Sequence, residues 1–367
     1  MLPFIMSRMG SVSMHNIDKD KERRKRRRRV IFLCALLTAI FLIVATYAWL
    51  STTLNVKVKL FKMNVRSDSG LFISLNGIDW DESVTISIDT VINDLFATYP
   101  NHTNQWSVGG LWPVSSNGIR NADTSKFEVY WGQLYRTKLF NPNGSIKRVL
   151  GATIVDESGP YARSDYIAFD VFFKNASGSP KPDHLFFDTG TGIFYGEEAL
   201  EINKPLMDGI MNSMRIGLVK IGWVPHDSSI STIQNVPCNN NCKHFIFEPY
   251  SRTHSPFSIE TAQNYGITLI DGVHIPTYAI INEGQPLEHT NGHVGTGIPL
   301  DTSHFALQET ITEADFNNWL FELPNGIMKC RIYVWIEGQD IDSLETYSKG
   351  AEIEIAINFV KDLAGYE

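Results

Sequence analysis

Hydrophobic and polar positions alternate along most of this chain, but one stretch near its start does not alternate at all. From Val30 to Leu50 the residues VIFLCALLTAIFLIVATYAWL include no charge and leave no polar face. At about 1.5 Å of rise per residue, a helix of this run reaches roughly 30 Å, the thickness of a bilayer's hydrocarbon core. A helix buried in a soluble protein usually keeps a polar face, and this one has none. Thr38 and Thr46 bring hydroxyls that a helix can bond to its own carbonyls. Tyr47 and Trp49 fall at the far end, where amphipathic rings favour the membrane interface.

Beyond the run the period changes to two. Leu54, Val56, Val58 and Leu60 alternate with Asn55, Lys57 and Lys59, which predicts a half-buried strand. Leu71–Leu75 leads into the turn pair Asn76-Gly77. Tyr166–Lys174 and Met214–Trp223 read as strands. His184–Asp188 and Ile193–Tyr195 read as a hairpin around Thr189-Gly190-Thr191-Gly192. Near the end, Met328, Cys330, Ile332, Val334 and Ile336 share one face, and Lys329, Arg331, Tyr333, Trp335 and Glu337 share the other. Ile353, Ile355, Ile357 and Phe359 alternate with Glu352, Glu354, Ala356 and Asn358. These two runs predict antiparallel or sandwich-partner strands, each with one wet face. Helices are few. Thr312–Leu323 fits one, with Thr312 and Asp315 spaced as a capping box and Pro324 closing it. Leu206–Met214 or Asp89–Tyr99 has room for a short one. The fold class expected is mainly β: an antiparallel, jelly-roll-like β-sandwich after a single N-terminal transmembrane helix.

Charge supplies a direction. Arg23, Arg24, Lys25, Arg26, Arg27, Arg28 and Arg29 stand directly before the apolar run. Residues 1–29 carry ten basic and three acidic side chains, net +7. Basic residues beside a span stay cytoplasmic, so everything after it faces outward. Set against a span, the block serves topology and contact with anionic lipid heads rather than nucleic acid. The whole chain is −8, so residues 30–367 carry −15, which argues against nucleic acid as a partner. The division expected is a tail at 1–29, a transmembrane helix or signal anchor at 30–50, and an exterior β domain at 51–367. That domain carries insertions at about 99–165 and 225–310, where alternation fades and Gly, Pro, Asn and His rise. Cleavage after a long signal peptide, near Ala48, competes with retention as an anchor. The run is longer than a signal peptide's apolar region, which favours the anchor.

Candidate chemistry is sparse. Cys238 and Cys242 flank a turn-rich segment and would close a small disulfide loop in an oxidising exterior. Cys34 falls in the span, and Cys330 is left over. Asn101, Asn143 and Asn175 head glycosylation sequons. Asp188-Thr189-Gly190 resembles an aspartic-protease turn, but that chemistry needs two carboxylates, and the one partner, Asp301-Thr302-Ser303, lacks the glycine. His289 and His293 are four apart, yet Asn291-Gly292 between them opposes a helix, and no His-Glu-x-x-His occurs. Asp340, Asp342 and Glu345 are weak Ca²⁺ candidates; a solvated acidic turn is the plainer reading. Trp106, Trp112, Tyr130, Trp131 and Tyr135 would bind sugars if exposed and fill a core if buried. No metal, cofactor or catalytic residue is expected.

A family resemblance enters on particular residues. The basic tail, the helix ending Ala45-Thr46-Tyr47-Ala48-Trp49-Leu50-Ser51 and the strand after it resemble exported Gram-positive surface proteins related to the TasA/camelysin biofilm-matrix group. So do Ile332–Asp340 and the last strand ending Ile357-Asn358-Phe359, whose likes occur in Firmicutes surface families. The likeness covers about the first 80 and last 40 residues. It implies a jelly-roll-like sandwich and, for matrix members, fibre assembly by strand exchange. The function expected is a membrane-anchored or exported structural or adhesive surface protein. Its partners would be the lipid bilayer and either copies of itself or other surface proteins, with Leu54, Val56, Val58 and Leu60 as the assembly strand. The alternatives are an extracellular ligand- or carbohydrate-binding module and an exported metal-dependent or aspartic hydrolase.

Overall fold

The computed structural model describes Lys25, Arg29, Ile31 and residues 57–66, 70–106, 110–121, 127–135, 149–155, 165–195, 204–238, 242–264, 267–288, 302–344 and 352–362. The chain divides into two compact units, Met1–Thr53 and Leu54–Glu367. Of the apolar run only Ile31 is described, so the anchor and Ala48 lie outside the described residues. Among the described residues no helix is long and apolar enough to cross a membrane, which says nothing of crossing by a β-barrel.

The second unit is mainly β. It opens with β1 (Lys57–Val65), β2 (Leu71–Ser74) and β3 (Ser83–Ile86), then short helical turns over Thr90–Asp94 and Leu95–Thr98. Next come β4 (Pro113–Val114), β5 (Tyr130–Tyr135), β6 (Val149–Ile154) and β7 (Tyr166–Asn175). They are followed by β8 (Asp183–Phe187), β9 (Gly192–Tyr195), a helix Lys204–Ser213 and β10 (Met214–Val224). Helices Ile230–Gln234 and Pro256–Asn264 flank β11 (His244–Phe247). Three short strands come after them, β12 (Tyr278–Ile280), β13 (Gly284–Glu288) and β14 (Phe305–Leu307). The chain ends with β15 (Phe321–Leu323), β16 (Gly326–Glu337), a 3₁₀ turn Ile341–Leu344 and β17 (Glu352–Asp362).

Two six-stranded sheets dominate. One runs β15-β8-β17-β1-β3 with β9 also on β17; the other runs β11-β10-β16-β7-β2 with β4 also on β16. A single apolar cluster draws Phe61, Met63, Ile355, Ile357 and Phe359 from the first sheet and Phe169, Val171, Ile216, Cys330 and Ile332 from the second. Phe61 stands edge-on to Phe169 at 5.0 Å, and Phe173 to Phe359 at 4.9 Å. Each such side chain contributes about 1.5–3 kcal/mol by leaving water. The two long C-terminal runs therefore belong to different sheets and meet face to face.

The first sheet departs from the expected pattern at β1. Pairing is mostly antiparallel, but β1 lies parallel to β17, and β4 parallel to β16. β1 carries a bulge at Lys59, between the pairs Val58↔Ile353 and Leu60↔Glu354. The bulge resets the alternation: Val58, Phe61, Met63 and Val65 point inward, while Leu60 is half-buried. Leu54 and Val56 lie outside the described residues. Nor is β1 an edge over Phe61–Asn64, because β3 pairs with it there and β17 holds its other side.

The hairpin expected at Asp188–Gly192 is not a hairpin. β8 and β9 both run antiparallel to β17, one beyond the other, and the turn between them bulges opposite Asn358. Thr191 Oγ1 donates to Asn358 O, and Asn358 Nδ2 donates to Thr189 O at 2.9 Å. Gly190 takes φ 83°, which a side chain rarely adopts. The helix expected over Thr312–Leu323 is only a 3₁₀ turn, Glu313–Asp315. Its capping box from Thr312 and Asp315 is present. The remainder of that segment enters β15, where Phe321 and Leu323 are buried and Glu322 exposed, so pairing with β8 wins over helix continuation.

The outer face of the second sheet is not wet. In β16, Arg331, Tyr333, Trp335 and Glu337 are all buried. Phe127 and Val129 cover one part of that face, packing with Val114 of β4 and Ile246 of β11 on Tyr166, Tyr333 and Trp335. Leu95, Tyr99 and Ile233 cover another, packing on Phe172 and Ile327. The expected insertions thus supply a second, outer layer, so charged residues on this face had to find partners without water.

Candidate functional site

Two buried charge clusters result. The larger centres on Arg215, which β10 turns away from the apolar core onto the covered face. Its side chain is fully buried. Arg215 Nη2 donates to Glu248 Oε1 at 3.0 Å and Asp340 Oδ2 at 2.6 Å, and Nε donates to Gln308 Oε1 at 2.8 Å. Glu248 stands directly after β11, and its other oxygen accepts from Thr310 Oγ1 at 2.6 Å. His274 Nε2 lies 3.4 Å from the same oxygen without an aligned hydrogen bond. Glu337, the last residue of β16, accepts from Gln308 Nε2 at 3.0 Å, Trp335 Nε1 at 3.2 Å and Ser116 N at 3.2 Å. The 3₁₀ turn adds Asp342, whose Oδ2 lies 2.7 Å from His254 Nδ1. Asp342 Oδ1 and His254 Nε2 are buried without a hydrogen-bond partner.

Electrostatics divides the carboxylates. Burial raises Glu248, but Arg215 first, then His274 and Thr310, bring it well below the usual carboxylate range. Burial pushes Asp340 up to about 7 against the pull of Arg215, with the charges of Asp342 and Glu248 adding to the rise. Glu337 is raised by burial. Burial lowers His254, but the hydrogen bond and charge of Asp342 reverse that and raise it.

The second cluster lies elsewhere on the same face. Asp170 of β7 accepts from Arg331 Nη1 at 2.9 Å and from Tyr99 Oη at 2.6 Å, with Lys329 Nζ 3.2 Å away. Burial opposes its ionisation, but Arg331 and Lys329 hold it below the usual range. Burial raises Tyr99 far above its ordinary value, and Asp170 adds to the rise.

The residues singled out in the sequence are scattered rather than gathered. Cys238 and Cys242 form the disulfide. Cys330 is a free, buried thiol of the core. Asp340 and Asp342 are neither solvated nor open to Ca²⁺, since Arg215 and His254 occupy them, and Glu345 lies outside the described residues. Among the described residues, no group of three or more His, Cys, Asp or Glu is placed to hold a metal. Asp188 pairs with Arg66 Nη2 at 2.9 Å, and Asp301 lies outside the described residues, as do His289 and His293. Trp106, Tyr130 and Trp131 belong to three different apolar clusters and Trp112 is exposed, so these four form no shared platform; the side chain of Tyr135 lies outside what is described. Asn101 is exposed, whereas Asn175 is buried with Nδ2 donating to Leu323 O at 2.9 Å, which bars glycosylation there after folding. Asn143 is outside the described residues. Of the basic block, Lys25 and Arg29 are described, and both are exposed; Arg23, Arg24, Arg26, Arg27 and Arg28 are not described.

Missed in the sequence were Arg215, Glu248, Glu337, Asp170 and Arg331. For Arg215 and Asp170 the readable sign was a single charge inside a strongly apolar run, Met214–Val219 and Tyr166–Phe173. Neither a protein-family model, nor a curated protein, nor a solved structure matches this chain.

Proposed function

We propose that this is a membrane-tethered surface protein whose β-rich body is a two-layer, jelly-roll-like sandwich acting as a structural or adhesive unit outside the cell. The observation that carries this reading is the Cys238–Cys242 disulfide. Such bonds persist in oxidising, extracytoplasmic compartments, the side to which the basic block before Val30–Leu50 directs the body. The test is protease added to intact cells, with the N-terminus of the released body sequenced. Release of the body supports the reading. A body that is protected in intact cells and degraded only after lysis overturns it. A mature N-terminus after Ala48 would convert the anchor into a secreted subunit.

A narrower reading concerns assembly. β1 comes directly after residues 51–56 and the apolar run, and fills a slot between β17 and β3. The same strand from another copy would fit that slot and link copies into a fibre. Deleting residues 51–62 cannot test this, because Val58 and Phe61 are core residues and the body would unfold. A cross-link does. Lys62 and Thr85 are paired in register and both exposed. The variant Lys62→Cys/Thr85→Cys, once oxidised, should stay monomeric on electron micrographs, and reductant should restore fibres. Fibres from the cross-linked variant, or none from the unmodified protein, would exclude strand exchange.

A further inference from the structure

Residues 249–264 and 267–277 lie between β11 and β12; Tyr250 Oη donates to Ile193 O of β9 at 2.7 Å and Asn212 Nδ2 donates to Thr253 O, and beyond Thr253 two further attachments bear on the second sheet. One is a small apolar cluster of Ala262, Ile267, Ile275 and Ile341. The other is the Arg215 cluster, to which this stretch contributes His254, His274 and Thr277; Thr277 Oγ1 accepts from Arg215 Nη2 at 3.3 Å.

The charges do not balance. Among the described residues, the titratable groups facing this centre are Arg215 from β10, Glu248 after β11, His254 and His274 from the docked stretch, Glu337 from β16, and Asp340 and Asp342 at the 3₁₀ turn. Glu248, Glu337, Asp340 and Asp342 are all buried, and one guanidinium faces them. With all four ionised and both imidazoles neutral, the centre would carry a net −3 away from water. A buried excess of that kind takes up protons instead. Asp342 Oδ1 and His254 Nε2 lack hydrogen-bond partners among the described residues. Asp340 and Asp342 share one turn, joined by the hydrogen bond from Asp342 N to Asp340 Oδ1 at 2.8 Å.

We propose that this cluster is a proton-operated fastening: protons on Asp340, Glu337 and His254 hold residues 249–264 and 267–277 against the second sheet, and their loss on alkalinisation releases that stretch while both large sheets stay intact. His254 and Asp340 are both raised in the folded protein, so the contribution of each is complete at acid pH and declines as pH rises.

Hydrogen exchange on the full chain in detergent micelles tests this, with rates corrected for intrinsic pH dependence. Amide protection within 252–264 and 267–277 should fall at least tenfold from pH 6 to pH 9 and end at least tenfold below that of β7, which exchanges only when the sheets open. His254→Gln should lose protection already at pH 6. Asp340→Asn, which imitates the protonated acid, should lose at least threefold less protection between pH 6 and pH 9 than the unmodified protein. Protection unchanged with pH, protection at pH 9 equal to that of β7, or a loss in Asp340→Asn as large as in the unmodified protein would each overturn the proposal.

Discussion

Single residues settle more here than the strand pattern suggests. Lys361 and Asp183 face each other with side chains 0% and 1% exposed, and Lys361 Nζ donates to Asp183 Oδ2 at 2.8 Å and to Asn175 Oδ1 at 2.6 Å. Removing one partner strands a buried charge, whereas removing both does not. Lys361→Met should therefore cost about 3–5 kcal/mol in urea unfolding, and Lys361→Met/Asp183→Leu should recover most of it. Burial opposes ionisation of Asp183, but the Lys361 hydrogen bond and charge hold it below the usual range. Its contribution is thus present above the ordinary unfolded carboxylate value and is lost as pH falls through the depressed one. Gly222 is constrained by space. A Cβ there would meet Val236 Cγ1 at 2.5 Å and Pro237 O at 3.1 Å. Gly222→Ala should destabilise by about 1–3 kcal/mol, read from the same urea midpoints.

Among elements, β1 shows how one bulge redistributes importance along a strand. Lys59, the extra residue, is exposed, and its ion pair with Glu352 spans 3.5 Å in solvent. Phe61, two residues on, is fully buried between the sheets. Lys59→Ala should change stability by less than about 0.5 kcal/mol. Phe61→Ala should cost about 3–5 kcal/mol. Thermal unfolding of the two variants side by side checks the contrast. Strict alternation from Leu54 to Leu60 pointed at Leu60 instead, because a bulge leaves no mark in the polar–apolar pattern. The turn at Asp188–Gly192 misled for a related reason. Glycines that close a hairpin and glycines that permit a bulge are the same residues, and only the partner strand distinguishes them.

For the molecule as a whole, β composition and the long strands were legible because Tyr166–Asn175, Met214–Val224, Gly326–Glu337 and Glu352–Asp362 are strongly apolar or cleanly alternating. The Arg215 cluster was not legible. Its members come from β10, β16, the 3₁₀ turn and several covering segments, and only the fold brings them together. The wet face expected of β16 failed because the covering segments are irregular, and irregular chain has no period to reveal what it packs on. The buried charges together set a pH profile. Asp170, Asp183 and Glu248 are depressed and withdraw stability in acid. Asp340, Glu337 and His254 are raised and withdraw it as pH climbs. Urea midpoints should therefore peak between about pH 4 and 6 and decline toward pH 8. Reducing Cys238–Cys242 frees a short loop and should lower stability by about 2 kcal/mol, a loss that Cys238→Ser/Cys242→Ser should reproduce.

The parallel pairing of β1 with β17 bears on biogenesis. Asn64 bonds Asn358 across 294 positions of sequence, so β1 leaves the ribosome with no neighbour on that side until β17 emerges. Closing so distant a contact is slow. During synthesis Phe61 and Met63 are bare, and a chaperone or a sister chain has its longest opportunity to seize them.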